Sequence, residues 1–254
     1  APGLGNRLAP RSGRTPSGKS AGTLGRGKSA GTLGCGWWGW RAAGWFFLTL
    51  ALAGAAFAQP SCSPLPPPAG ATIEVHPHQA NQLRAIVAAA SAGTTILLHD
   101  GLYAMDQGDY LSRLEFTTPN VTLRSLSGNR DAVVLDGAYQ THELVAIHAS
   151  GVTIADLTLK RAYDHPVHIT GTTGQIITGV RLHNPRIVDP GEQAVKVHAA
   201  STNGYVDYGI LECSAIELTA AGRAQVRNDC YTGGFDAHGA RGWIIRRNRF
   251  SGFW

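Results

Sequence analysis

The chain has 254 residues, 43% of them hydrophobic and only 15% charged, with four cysteines and a formal charge of +5. Seven of its 22 basic side chains (Arg7, Arg11, Arg14, Lys19, Arg26, Lys28 and Arg41) fall in residues 1–58, which hold no acid, so the rest carries 15 basic against 17 acidic groups. A nucleic-acid partner needs a basic face on the folded domain, and this distribution excludes one.

At the N-terminal end, "GRTPSGKS" (Gly13 to Ser20) and "GTLGRGKS" (Gly22 to Ser29) both match a phosphate-loop pattern. A phosphate loop needs a buried strand before it and a helix after it, whose amides then cradle the phosphates. Neither context exists here, and both matches belong to one repeat, "GKSAGTLG", at Gly18 and Gly27. No nucleotide-binding residue is assigned, and residues 1–36 are read as a low-complexity upstream segment. In residues 37–58, Arg41 precedes an apolar run from Trp45 to Phe57 and the small residues of Ala56-Phe57-Ala58. That layout is a secretory signal, and the run is shorter than the ~20 residues that span a bilayer. The expectation is an exported protein, periplasmic, extracellular or in the cell envelope, with no stable membrane span after cleavage; an uncleaved anchor is the alternative.

Residues 59–72, "QPSCSPLPPPAGAT", read as a Pro-rich linker, and the folded domain is expected over 73–254. In "QANQLRAIVAAASAG", Leu83, Ile86, Val87 and Ala90 fall on one helical stripe, with Gly93 placed to end a helix over Gln79 to Ala92. "TTILLHDGLY" (Thr94 to Tyr103) then reads as a strand closing on an Asp100-Gly101 turn. Beyond it, alternating apolar segments recur: "VTLRSL" from Val121, "VTIADLTL" from Val152, "VRLHNPRI" from Val180, "GILECSAI" from Gly209 and "WIIRRNRF" from Trp243. Their starts differ by 31, 28, 29 and 34 residues, and further strand-like pieces lie between them at Val133, Val167, Val195 and Phe235. Short strands at such a period predict a solenoid whose coils each add one rung to parallel sheets.

The opening helix with "GTTILLHDGLY", followed by the "NVTLRS", "GVTIADLTL" and "GWIIRRNRF" rungs, resembles the right-handed parallel β-helix proteins of the pectin-lyase-like superfamily. The resemblance spans Ile73 to Trp254. It implies an all-β, right-handed parallel β-helix with a short N-terminal capping α-helix. It does not select an activity, because that superfamily holds lyases, hydrolases, epimerases and proteins without demonstrated chemistry.

Alternation along the second strands places Val133, Val167, Val195 and Phe235 in one inward column and Leu135, Ile169, Val197 and Ala237 in the next. The outward columns are then Val134, His168, Lys196 and Asp236, and Asp136, Thr170, His198 and His238, with Glu192 at the strand start and Arg241 past its end. The functional reading of this cleft is that it handles an acidic polysaccharide: in lyases of the superfamily it resembles, a base abstracts the proton beside a uronate carboxylate, and a cation, Ca²⁺ or Arg/Lys, neutralises that carboxylate. On that reading Lys196 or His168 is the base, Arg241 the neutralising group, His238 a lining residue, and Glu192 with Asp236 a Ca²⁺ ligand pair. "GEQAVKV" is similar to a strand of chondroitinase-B and alginate-lyase enzymes, although Lys196 stands where they carry Arg and Ala194 where they carry a second acid. Asp236 one rung from Lys196 favours the protonated amine, which makes His168 the better base. The partner is then an acidic polysaccharide. A non-catalytic glycan-binding or cell-envelope solenoid competes, since outward positions of any solenoid are polar; Tyr163, Tyr205, Tyr208 and Tyr231 are the aromatics near these columns. Glycoside hydrolysis is the second alternative, against which the expected set of convergent carboxylates is missing. The scattered His99, His142, His148 and His183 read as structural or exposed, and His76 to His78 as a loop without partners.

Cys35 leaves with the leader, so the exported chain keeps Cys62, Cys213 and Cys230. Cys213 and Cys230 are expected to pair in an oxidising compartment, with Cys62 free or joined elsewhere. Trp254 directly follows a rung, and an uncapped final coil suggests further coils beyond it.

Overall fold

The computed structural model describes residues 62–200, 203–227 and 231–253. The expectations for the leader and for Cys230 lie outside them. Three stacked sheets hold seven, six and five strands, and a two-stranded sheet flanks them; every strand pairing is parallel. We call the three main sheets 1, 2 and 3. The chain visits them in turn: Thr153–Ala155 lies in sheet 1, Thr158–Lys160 in sheet 2 and His165–Thr170 in sheet 3, and Arg181–His183 then returns to sheet 1 beside Thr153–Ala155. This is the parallel β solenoid that the repeat predicts.

Alternation drives each rung. In sheet 1, Ile96, Leu123, Ile154, Leu182 and Leu211 stack in register with no solvent exposure. Leu135, Leu159, Ile187 and Ile216 do the same in sheet 2, and Ile147, Ile169 and Val197 in sheet 3. The three columns converge on one core, in which each fully buried aliphatic side chain contributes about 1.5–3 kcal/mol.

The corner leading into sheet 1 explains the period. Two residues before each sheet 1 strand from Thr95–Leu98 onward the backbone turns through positive φ, at Gly93, Asn120, Gly151, Gly179, Tyr208 and Gly242. Glycine and asparagine visit this region most easily, and the turn brings each coil back to the same edge.

The helix spans Ala80–Ala89, preceded by a 3₁₀ turn at Pro77–Gln79, slightly shorter than the stripe predicts. Its Leu83 and Val87 are buried in the common core, and it packs against the strand Leu114–Phe116. Among the described residues no helix is long and apolar enough to cross a membrane.

Four expectations are corrected. Val133–Asp136 pairs with Gly101–Ala104 and Thr158–Lys160 in sheet 2, so Val134 and Asp136 do not share a column with His168. The sheet 3 rung of that coil is Glu143–Ile147. Cys213 is bonded to Cys62, with Cα atoms 6.0 Å apart, and is therefore unavailable to Cys230. The bond brings the Pro-rich segment onto the outer side of sheet 1, where Arg124 donates to the Pro66 carbonyl at 3.0 Å; it is a strap rather than a free linker. His76 also has partners, stacking on His99 at 3.8 Å and on His78 at 5.6 Å.

Candidate functional site

The outward face of sheet 3 gathers titratable side chains because three of its rungs are in register. His168 pairs with Lys196 and Lys196 with Asp236, while Thr170, His198 and His238 form the neighbouring column. Both columns are as the alternation predicts, from Val167 onward. One coil earlier, Ala146 occupies the position in line with His168, and beyond it stands Glu115.

His168 does not stand alone. Its Nδ1 donates to Glu143 Oε1 at 2.5 Å, and its Nε2 faces the Thr170 hydroxyl at 3.0 Å. Burial alone raises the Glu143 pKa, but hydrogen bonds from His168 and Arg113 outweigh it and bring the carboxyl down to about 2. An ionised carboxylate only accepts, so the proton of this contact resides on Nδ1 and Nε2 is the working nitrogen. Arg113 holds Glu143 from the other side at 2.8 Å, also pairs with Glu115, and packs 4.6 Å from the Tyr110 ring. The dyad is thus buttressed from a rung below.

On the other side of His168, Lys196 donates to Asp236, whose second oxygen lies 2.9 Å from His238 Nε2. Burial raises the Asp236 pKa less than Lys196 and His238 lower it, and the carboxyl ends below its ordinary value. His198, next to His168, Lys196 and His238, is pushed down by burial first and then by those charges. Tyr231 lies 6.0 Å from Lys196. The face therefore offers a carboxylate-oriented imidazole beside a lysine held by a carboxylate.

Two expected members lie elsewhere. Arg241 sits past the end of the strand, with Nε bound to Asp207 at 2.7 Å. Glu192 belongs to a cluster at the strand start: it lies 3.5 Å from Arg227 and 3.7 Å from His165, and burial followed by the charge of Asp164 raises its pKa. Arg227 also binds Asp164, which accepts from His142 at 2.6 Å. Of the expected Ca²⁺ pair, Glu192 is faced by Arg227 and His165, and Asp236 by Lys196 and His238. Among the described residues no group of three or more His, Cys, Asp or Glu is arranged to hold a metal.

Sequence reasoning missed Glu143, Arg113 and Asp207. The only signal for Glu143 is its place at the head of "ELVAI", a run buried throughout, where period-two alternation is invisible. Comparison with known proteins adds no assignment: no family model, no curated protein and no solved structure matches the chain.

Proposed function

We propose that the chain is an exported right-handed parallel β-helix of pectin-lyase-like architecture, closed at its first coil by the Ala80–Ala89 helix, that cleaves an acidic polysaccharide by β-elimination. The observation that carries this reading is the Glu143–His168 dyad beside the Lys196–Asp236 pair on one partly exposed face. His168 Nε2 takes the proton α to the uronate carboxylate, the C–H electrons form the ring double bond, and the bond to the leaving glycosidic oxygen breaks as that oxygen takes a proton from solvent water. Lys196 binds the carboxylate on which charge develops, and Asp236 keeps the amine in place; His238 and Thr170 border the site. Arg241 has no part in this step, and no metal is invoked.

The test is to incubate the full chain with pectate, alginate and glycosaminoglycans while following the ultraviolet absorbance of an unsaturated uronate. Turnover is expected with at least one of them, and His168→Ala is expected to lower it by about 10²–10⁴-fold. New reducing ends without that absorbance identify a hydrolase, and retention on a glycan column without turnover identifies a binding module; either result overturns elimination.

A further inference from the structure

Beyond the end of sheet 3, the chain builds a second polar feature that the proposed elimination does not use. Asp207 is 1% exposed and its carboxylate accepts twice from one residue: from the Arg241 backbone N–H at 3.1 Å and from Arg241 Nε at 2.7 Å. A buried carboxylate thus fixes the near edge of a guanidinium whose side chain is 67% exposed. Among the described residues neither Nη nitrogen of Arg241 makes a hydrogen bond, so the outer edge of the fork points at solvent with its direction already set.

Two tyrosines flank this fork, and glycines make room for both. A Cβ on Gly239 would lie 3.2 Å from the Tyr205 ring, and one on Gly242 would lie 2.4 Å from the Tyr208 ring, so each ring rests close against the backbone beside Arg241. Tyr205 and Tyr208 remain 40% and 57% exposed, and Arg241 lies 5.9 Å from the Tyr208 ring. An open cleft of about 300 Å³ is lined by Tyr205, Asp207, Gly239, Ala240 and Arg241. Its first residue on this segment, Gly239, directly follows the end of the sheet 3 strand Asp236–His238.

We propose that Tyr205, Tyr208 and Arg241 form a separate recognition site for a carboxylate carried on a sugar ring, a uronate unit of an acidic glycan. The inference rests on the reading of the ligand as such a glycan. A planar guanidinium with a free edge accepts a carboxylate through two parallel hydrogen bonds. Exposed tyrosine rings supply flat apolar area with little entropy to lose, suited to the face of a ring beside that carboxylate. The open cleft suits one unit of a chain passing over it.

The test is calorimetric titration of the full-length His168→Ala protein, which prevents turnover, with saturated oligosaccharides of galacturonate, mannuronate and glucuronate. The best binder is then compared with its carboxyl-reduced counterpart. Carboxyl reduction is expected to weaken binding at least tenfold, Arg241→Gln to weaken uronate binding about 10- to 100-fold, and the two losses not to add. Arg241→Lys does not rescue, because lysine lacks the Nε that Asp207 holds. Tyr208→Ala weakens binding of the acidic and the reduced oligosaccharide alike. Absence of binding by all three oligosaccharides, or equal affinities of the Arg241→Gln protein and its Arg241 parent, overturns the proposal. The two readings separate: carboxylate-dependent binding through Arg241 without any unsaturated product removes the elimination and leaves this site, whereas elimination indifferent to Arg241 does the reverse.

Discussion

Glu143 carries two consequences at the scale of one side chain. It is 8% exposed, its carboxyl is held near pKa 2, and both His168 and Arg113 depend on it. Glu143→Gln keeps the shape, yet it leaves Arg113 with Glu115 alone as its carboxylate partner among the described residues and removes the charge that orients the imidazole. Losing one partner of a largely buried pair is expected to cost about 2–4 kcal/mol of stability, read as a lower melting temperature. It should also remove most of any elimination activity, through kcat rather than KM, because the group acts through His168. Activity unchanged in a folded Glu143→Gln protein would show that the dyad has no role. His168, Lys196 and Asp236 were legible because each sits at an outward position of a clearly alternating strand. Glu143 was not, since its strand ends in apolar residues and puts Ala146 where the titratable residue is expected.

Between elements, the period of the coils was readable and the assignment of strands to sheets only partly so. Val133 alternates as well as Val167 does, but alternation says which side faces inward and nothing about which sheet the strand joins. The distance along the coil decides that, and residues 126–132, between the sheet 1 strand Thr122–Ser125 and the sheet 2 strand Val133–Asp136, lengthen it in this coil alone. In the next two coils the same corner holds only two residues, Asp156-Leu157 and Asn184-Pro185. The Pro-rich strap was hidden for a related reason: composition describes a segment without apolar content, while a single bond at Cys62 determines where it lies. The bond closes a sequence separation of 151 residues, so in the chain-entropy account it removes a large part of the freedom of the unfolded chain. Cys62→Ser is expected to destabilise the fold by about 3–5 kcal/mol and to expose residues 62–71 to proteases before the rest unfolds. Melting and proteolysis identical to the parent chain would show that the strap is held by packing alone.

For the whole molecule, the electrostatic design is one of carboxylates set into the outer faces of the sheets and surrounded by donors. Glu143 does this on sheet 3, and Glu212 on sheet 1, where it is 3% exposed and bound by Arg181, His183 and Arg246. Burial raises the Glu212 pKa, but those three donors outweigh it and hold the carboxyl near 2. Both groups are therefore depressed below the ordinary glutamate value of 4.5 that they approach in the unfolded chain. The unfolded state binds protons first as pH falls, so the stability they contribute is complete above about pH 4.5 and is lost progressively toward pH 2. Each depression corresponds to about 3 kcal/mol. Glu192 works in the opposite direction, since its raised pKa makes its protonation favour the fold, but it is one group against these two and the depressed Asp136 and Asp236. The melting temperature of the full chain should therefore decline modestly from pH 7 to 5, because burial holds the His165 and His198 pKa values below those of the unfolded chain, and fall steeply from pH 4.5 downward. Glu212→Gln should start from a lower melting temperature and show a shallower acid slope, because one of the two titrations has been removed. A parent chain whose melting temperature is level from pH 5 to 3 would mean that neither carboxylate is held by its donors in solution, and the dyad at His168 would lose its charged anchor with them.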